Sequence, residues 1–333
     1  MSDPTALLEP LLELHSRLRD EVVAATEHRQ VETLTAVDRD SESDTIYALD
    51  VVAEAVIARF AEALGRQHSF VLVAEGAAEG APYGGGGEGA PSGEEADWVI
   101  IVDPIDGTRG LMYQKRPGWI LTGVAPYRGD ATSLADITVA LQTEIPLVKQ
   151  HLSDSLWVIG DGPPAGERLN RLSGARTPIA PRPSQARTIA QGFGGLSRFF
   201  PGRRGILAEI DDAVVERVLG ELPPGRAVAF EDQYISSAGQ LYELMMGHDR
   251  WTADLRPLVW ATLGQRGLCC HPYDLATIAI ARAAGVEVTD GRGRQLDAPL
   301  DVETDVAWIG YANAAIRAQV EPVLQQLLTE LHV

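Results

Sequence analysis

Two spacings of apolar residues alternate along this 333-residue chain, and they predict helices and strands in irregular succession. Residues 6–28 carry leucines and valines at helical intervals behind Pro4, with Pro10 placed to delay or kink the first turns. Residues 31–44 are polar, with Asp38, Asp40 and Asp44, and predict a loop. A helix is expected over 45–64, its apolar stripe running through Ile46, Ala53, Ile57, Phe60 and Leu64. Short apolar runs predict strands at 70–74, 98–102, 120–124, 137–141 and 156–159. Between the first two, residues 76–96 form a glycine-rich insertion with no packing pattern. Farther on, strands are expected at 188–191, 250–253, 286–289 and 306–309. Helices are expected at 206–219, 235–246, 273–284 and 314–331, with Gly285 closing the third. Proline, glycine and arginine crowd residues 161–183, the natural lobe boundary. The division is an N-terminal α+β lobe (1–165), a linker (166–183) and a C-terminal α/β lobe (184–333). No internal repeat interrupts the pattern, and the expected class is α+β, with helices and strands in layers.

Chemistry concentrates where the most apolar strand ends, in Trp98-Val-Ile-Ile-Val-Asp-Pro-Ile-Asp-Gly-Thr108. Pro104 should end strand pairing, and Gly107-Thr108 suits a tight turn into a short helix. Asp103 and Asp106 then repel each other unless a cation lies between them, and N–H groups at the helix start attract an anion such as phosphate. Glu75 also terminates an apolar run, so neighbouring strands would bring it beside the two aspartates. Three carboxylates suit Mg²⁺, a hard cation that keeps waters for a phosphate to displace. A pair of such ions can activate water and stabilise a leaving oxygen.

Two further acids stand out by position. Asp50 falls within the apolar stripe of its helix, so its carboxylate needs a partner: a metal or its water, an arginine, or a backbone cap. Asp274, in His271-Pro-Tyr-Asp-Leu275, opens an apolar helix, where an acid also simply favours the helix dipole. Lys115 and Arg116 are placed either to meet a second anionic group or to remain solvated.

Composition narrows the alternatives. Forty-seven acidic against 28 basic side chains leave a formal charge of −19, which argues against nucleic-acid or anionic-membrane partners. The two cysteines, Cys269 and Cys270, are adjacent, unsuited to bridging each other and without a zinc-type spacing. Neither a signal peptide nor a membrane-length apolar run is evident, so a cytoplasmic location is expected.

Together these strings resemble the inositol monophosphatase family of Mg²⁺-dependent, lithium-sensitive phosphatases, within the fructose-bisphosphatase-like superfamily. Asp103-Pro-Ile-Asp-Gly-Thr108 is similar to the first family signature, and the stretch from His271 to Asp290 is similar to the second. The resemblance implies a layered αβαβα sandwich, commonly homodimeric, with two or three Mg²⁺ per subunit. It implies metal ligation by Glu75, Asp103, the Ile105 carbonyl, Asp106 and Asp274. It further implies that Thr108 polarises the attacking water with Glu75 as acceptor. Gly107 and Thr108 N–H groups would hold the phosphate, Asp50 would lie near a third metal, and Asp254 would bind a substrate hydroxyl. The chain departs from the family at Gly76, at Arg109-Gly110-Leu111 and in a longer 251–270 tract.

The implied activity is hydrolysis of a small polyol or sugar phosphate by metal-activated water. A sugar bisphosphatase, a nucleotide 3′-phosphatase and a non-catalytic metal- or phosphate-binding relative are the alternatives. A haloacid-dehalogenase-type phosphatase fits less well: its Asp-x-Asp-Gly-Thr places two aspartates on one strand face, whereas an i, i+3 pair on a regular strand does not share one.

Overall fold

The computed structural model describes residues 4–28, 31–40, 45–74, 81–83 and 96–333. A 3-10 turn, Pro4–Leu7, leads into α1 (Leu8–His28), so Pro10 sits in the first helical turn, where its missing N–H costs nothing. The stretch expected as a loop instead contains α2 (Val31–Leu34) and β1 (Val37–Asp40), and β1 pairs antiparallel with β2 (Thr45–Tyr47). α3 (Ala48–Leu64) therefore starts three residues later than its apolar periodicity suggests. β3 (Phe70–Ala74) follows, and β4 (Ala81–Tyr83) lies within the glycine-rich insertion.

Next come β5 (Trp98–Asp106), α4 (Thr108–Met112), β6 (Gly118–Pro126), β7 (Val139–Ile145) and β8 (Leu152–Ile159). The tract expected as a linker holds β9 (Ala165–Asn170) and β10 (Arg176–Ile179), which extend the same sheet. These strands are mostly half-buried or exposed, so they lack the apolar run by which the central strands are recognised. The strand expected at 188–191 lies slightly later, as β11 (Phe193–Leu196). The remainder comprises α5 (Arg204–Leu219), α6 (Ser237–Met245), β12 (Asp249–Asp254) and α7 (Arg256–Thr262). A 3-10 turn (Pro272–Leu275), α8 (Ile278–Ala284), β13 (Glu287–Asp290), β14 (Trp308–Tyr311) and α9 (Ala314–Glu330) complete the chain. The helix expected over 273–284 is thus divided, and Gly285 closes its second part in the left-handed conformation at φ 93°.

Among the described residues the main strands form an eight-stranded sheet, ordered β10-β9-β8-β7-β6-β5-β3-β4, and a four-stranded sheet, ordered β11-β12-β14-β13. Alternation along each central strand divides the large sheet between two cores. Phe70, Leu72, Trp98, Ile100, Ile120 and Val124 pack with α1 and α3. Val71, Val73, Val99, Ile101, Trp119 and Leu121 pack on the opposite side with α6 and α8. A third core joins the small sheet to α5 and α9. The layers therefore run helix, sheet, helix, sheet, helix: the expected αβαβα sandwich. Among the described residues, no helix is long and apolar enough to cross a membrane.

A histidine penetrates the first core. His15 on α1 is 1% exposed, with Nε2 2.8 Å from Thr122 Oγ1 and Nδ1 3.0 Å from Thr143 Oγ1. Burial, reinforced by the nearby Arg19 charge, pushes its pKa down from 6.5 to about 3. The unfolded chain therefore takes up a proton below pH 6.5 that the folded chain refuses until about pH 3, so acid destabilises the fold through this residue. Between pH 7 and pH 5, wild-type protein should lose about 2 kcal/mol more stability than His15→Asn. Urea denaturation of both proteins at the two pH values measures this difference, and equal losses would remove His15 from the account.

Candidate active site

β5 positions the first pair of acids. Its register against β6 matches Asp103 with Leu121 and Asp106 with Trp119, and shifts between them. Three residues advance on β5 while two advance on β6, so the intervening Pro104-Ile105 segment forms a bulge. Proline suits it because it has no N–H to contribute to the ladder. The bulge reverses the side-chain alternation that a regular strand would impose. Pro104 therefore does not end the pairing as expected, and the i, i+3 aspartates converge instead of diverging.

Asp274 reaches the same point from the 3-10 turn between β12 and α8. Ligand oxygens of Asp103, Asp106 and Asp274 all lie within 4.8 Å of one another. Each carboxylate is also anchored by the backbone. Asp103 Oδ1 accepts from Ile105 N–H at 3.0 Å, and Asp274 Oδ2 accepts from His271 N–H at 2.6 Å. Asp106 Oδ2 accepts from Ser236 Oγ at 2.9 Å and from Ala238 N–H at 2.6 Å, at the start of α6. Burial outweighs these two bonds and pushes the Asp106 carboxyl up to about 7. Close, oxygen-only donors, two buried and one half-buried, with this electrostatic cost suit a hard divalent cation, and the residues present fit Mg²⁺.

Gly107 and Thr108 continue from the bulge. Gly107 has φ 87°, and a Cβ there would lie 3.0 Å from Ser236 Cβ and 3.1 Å from the Ile235 carbonyl oxygen. Gly107→Ala is expected to cost about 1–3 kcal/mol from the left-handed backbone, before the contact with Ser236 is counted. Urea denaturation would show it, and an unchanged midpoint would mean the turn relaxes freely.

Thr108 Oγ1 lies 3.0 Å from Asp50 Oδ1 and 2.8 Å from the Ile105 carbonyl oxygen, both acceptors for its single proton. Asp50 Oδ2 accepts from Tyr47 N–H at 2.8 Å. A backbone cap, one of the partners left open by its position, and a threonine, which was not among them, thus supply partners for Asp50. Glu75 and Gly76 lie outside the described residues.

Asp103, Ile105, Asp106, Gly107, Thr108 and Asp274 line a cleft of about 70 Å³. Its lining also holds two guanidiniums that sequence reasoning did not single out for this role. Arg109 Cζ stands 5.5 Å above the Tyr47 ring and 5.3 Å from Phe200. Arg256 Cζ stands 4.5 Å above Phe199 and 5.2 Å from Phe200. Asp254, expected at a substrate hydroxyl, directs both oxygens at Arg256, with Nε at 2.8 Å and Nη2 at 2.5 Å. Arg256, not Asp254, is the residue of this pair that lines the cleft. Arg116 pairs with Asp232 and covers Tyr234. Ser236 was also missed, although a serine pair before an apolar helix is a recognisable N-cap signal. No sequence pattern announces the Arg256 arrangement.

No family model matches the chain, and no curated protein sequence matches it. Solved structures do match over nearly the whole length. Fructose-1,6-bisphosphatase from Leishmania major in its holo form superposes with a TM-score of 0.68 at 13% identity, covering 98% of this chain and 96% of that one. Extragenic suppressor protein SuhB from Bartonella henselae gives 0.61 at 17% identity, covering 96% and 99%. An IMPase from Thermotoga maritima gives 0.60 at 15% identity, covering 98% and 99%. The layered sandwich is therefore of the inositol monophosphatase and fructose-1,6-bisphosphatase type.

Proposed function

We propose that this chain is a Mg²⁺-dependent phosphomonoesterase acting on a small polyol or sugar phosphate. One observation carries the reading: Asp103 and Asp106 on β5 and Asp274 from a distant 3-10 turn converge within 4.8 Å, beside the Thr108–Asp50 pair. Asp103, Asp106, Asp274 and the Ile105 carbonyl are the assigned magnesium ligands, and Glu75 joins them on the strength of the sequence resemblance. When bound, magnesium supplies Lewis-acid polarisation and charge neutralisation.

The protein's own groups do the rest. Asp50 accepts from the Thr108 hydroxyl, leaving a Thr108 lone pair to orient a water toward phosphorus. Gly107 and Thr108 begin α4, where first-turn N–H groups have no partner within their own helix and can receive a phosphate oxygen. Arg256 faces the substrate and is held there by Asp254. The homodimeric state and cytoplasmic location expected from the sequence belong to the same proposal.

A second reading, a sugar bisphosphatase, is favoured by Arg109 and Arg256, which both line the cleft and both lie against Phe200, since a guanidinium pairs well with a second phosphate. Measuring phosphate release from mono- and bisphosphate esters, with Mg²⁺ and with chelator, separates the two. Absence of Mg²⁺-dependent release from every ester would sink both. Thr108→Val should lower kcat by about 10²–10³-fold with little change in KM, the cost of losing one positioned polar group at the reacting centre. An unaltered kcat would remove Thr108 from the chemistry.

A further inference from the structure

Outside the acid cluster, a chemically different donor set lies on the wall between two cavities. Cys269 and His271 precede the 3-10 turn, and Asp305 lies in the segment that leads into β14. One ligand atom from each lies within 4.8 Å of the others. His271 Nε2 is 3.7 Å from Asp305 Oδ1. Cys269 is 6% exposed and His271 4%, whereas the Asp305 side chain is 31% exposed and leaves an entry path. That path opens to an outer cavity bordered by Arg266, His271, Glu303 and Asp305, while Cys269 borders the catalytic cleft on the inner side.

We propose that Cys269, His271 and Asp305 form a binding site for a borderline-soft divalent cation, zinc above all, distinct from the magnesium cluster. The donor set is sulfur, nitrogen and oxygen, which favours Zn²⁺ over the oxygen-seeking Mg²⁺. Tetrahedral coordination with bonds of about 2.0–2.3 Å requires ligand separations of roughly 3.3–3.8 Å. For a nitrogen–oxygen pair the separation is about 3.3–3.5 Å, so closure needs a shift of a few tenths of an ångström between His271 and Asp305 and a movement of about an ångström by the thiol, which lies within 4.8 Å of both. Binding converts the Cys269 thiol to a metal thiolate and releases its proton to solvent. Three protein ligands leave a fourth position for water.

The other side of the imidazole is held as a metal-bound histidine requires. His271 Nδ1 lies 3.3 Å from Tyr273 Oη, and the two rings stack at 5.4 Å with 12° between their planes. The adjacent-cysteine sequence conceals this site because its third ligand arrives from far along the chain. The inference stands apart from the proposed phosphatase reaction and does not need it.

Co²⁺ titration of the full, reduced, metal-stripped chain in excess Mg²⁺ tests it by absorption. The expected result is one Co²⁺ per chain, with a thiolate-to-cobalt charge-transfer band and tetrahedral ligand-field bands, all bleached by Zn²⁺. Cys269→Ser should abolish the charge-transfer band, and Asp305→Asn should weaken Co²⁺ binding about 10–100-fold. Cys270→Ser and Asp103→Asn should both keep the band. Absence of the band in wild type, its survival in Cys269→Ser, or its loss in Asp103→Asn would overturn the proposal. Should Cys269→Ser fail to fold, undiminished affinity in Asp305→Asn would overturn it as well.

Discussion

Asp106→Asn is expected to lower Mg²⁺-dependent kcat/KM by about 10³-fold or more while making the metal-free protein harder to unfold. Both effects have one origin. The carboxylate is buried beside two other acids, and burial pushes its pKa from 3.8 up to about 7. A group raised in this way contributes fully below pH 3.8, and that contribution is lost as pH climbs through about 7. At pH 8 the charged form therefore costs the metal-free fold up to about 4 kcal/mol, which a neutral asparagine avoids. The asparagine oxygen can still accept from Ser236 and Ala238. Denaturation at pH 8 with chelator should show the gain. Added Mg²⁺ should raise the wild-type Tm much more than that of the variant, because a ligand that binds only the folded state stabilises it. Full turnover by Asp106→Asn would end the metal-ligand assignment.

Arg256→Ala is the substitution expected to cost the fold most, about 3–5 kcal/mol. The Arg256 side chain is 6% exposed and that of Asp254 2%, so truncation leaves a buried carboxylate without its counter-charge. It also removes a donor to the Leu268 carbonyl and a cation packed over two phenylalanine rings. A double variant, Asp254→Asn with Arg256→Ala, should be more stable than Arg256→Ala alone, because no charge is then stranded. Urea denaturation measures both. If the double variant were the less stable, the cost would lie in lost packing over Phe199 and Phe200. On a substrate with a second anionic group, Arg256→Ala should raise KM more than it lowers kcat.

Central strands were legible in the sequence because both of their faces are buried. Phe70–Ala74 and Trp98–Val102 must then be continuously apolar, and no other element of five residues reads that way. β9 and β10 were read as a linker because an outer hairpin buries little and needs no such run. The turn at Gly107 and the cap at Gly285 were legible too, since each requires a backbone conformation that glycine adopts without strain.

Local pattern thus determined the β-rich centre, the acidic strand end and the residue types suited to a cation. Tertiary structure alone decided that these acids meet. A bulge at Pro104 turns Asp103 and Asp106 toward each other, the N-terminus of α6 grips Asp106, and the chain returns much later to deliver Asp274. Tertiary structure likewise put Arg256 before the cleft in place of Asp254. Periodicity reports which side of an element is buried, but convergence depends on contacts between residues far apart in the chain, and no local pattern encodes those.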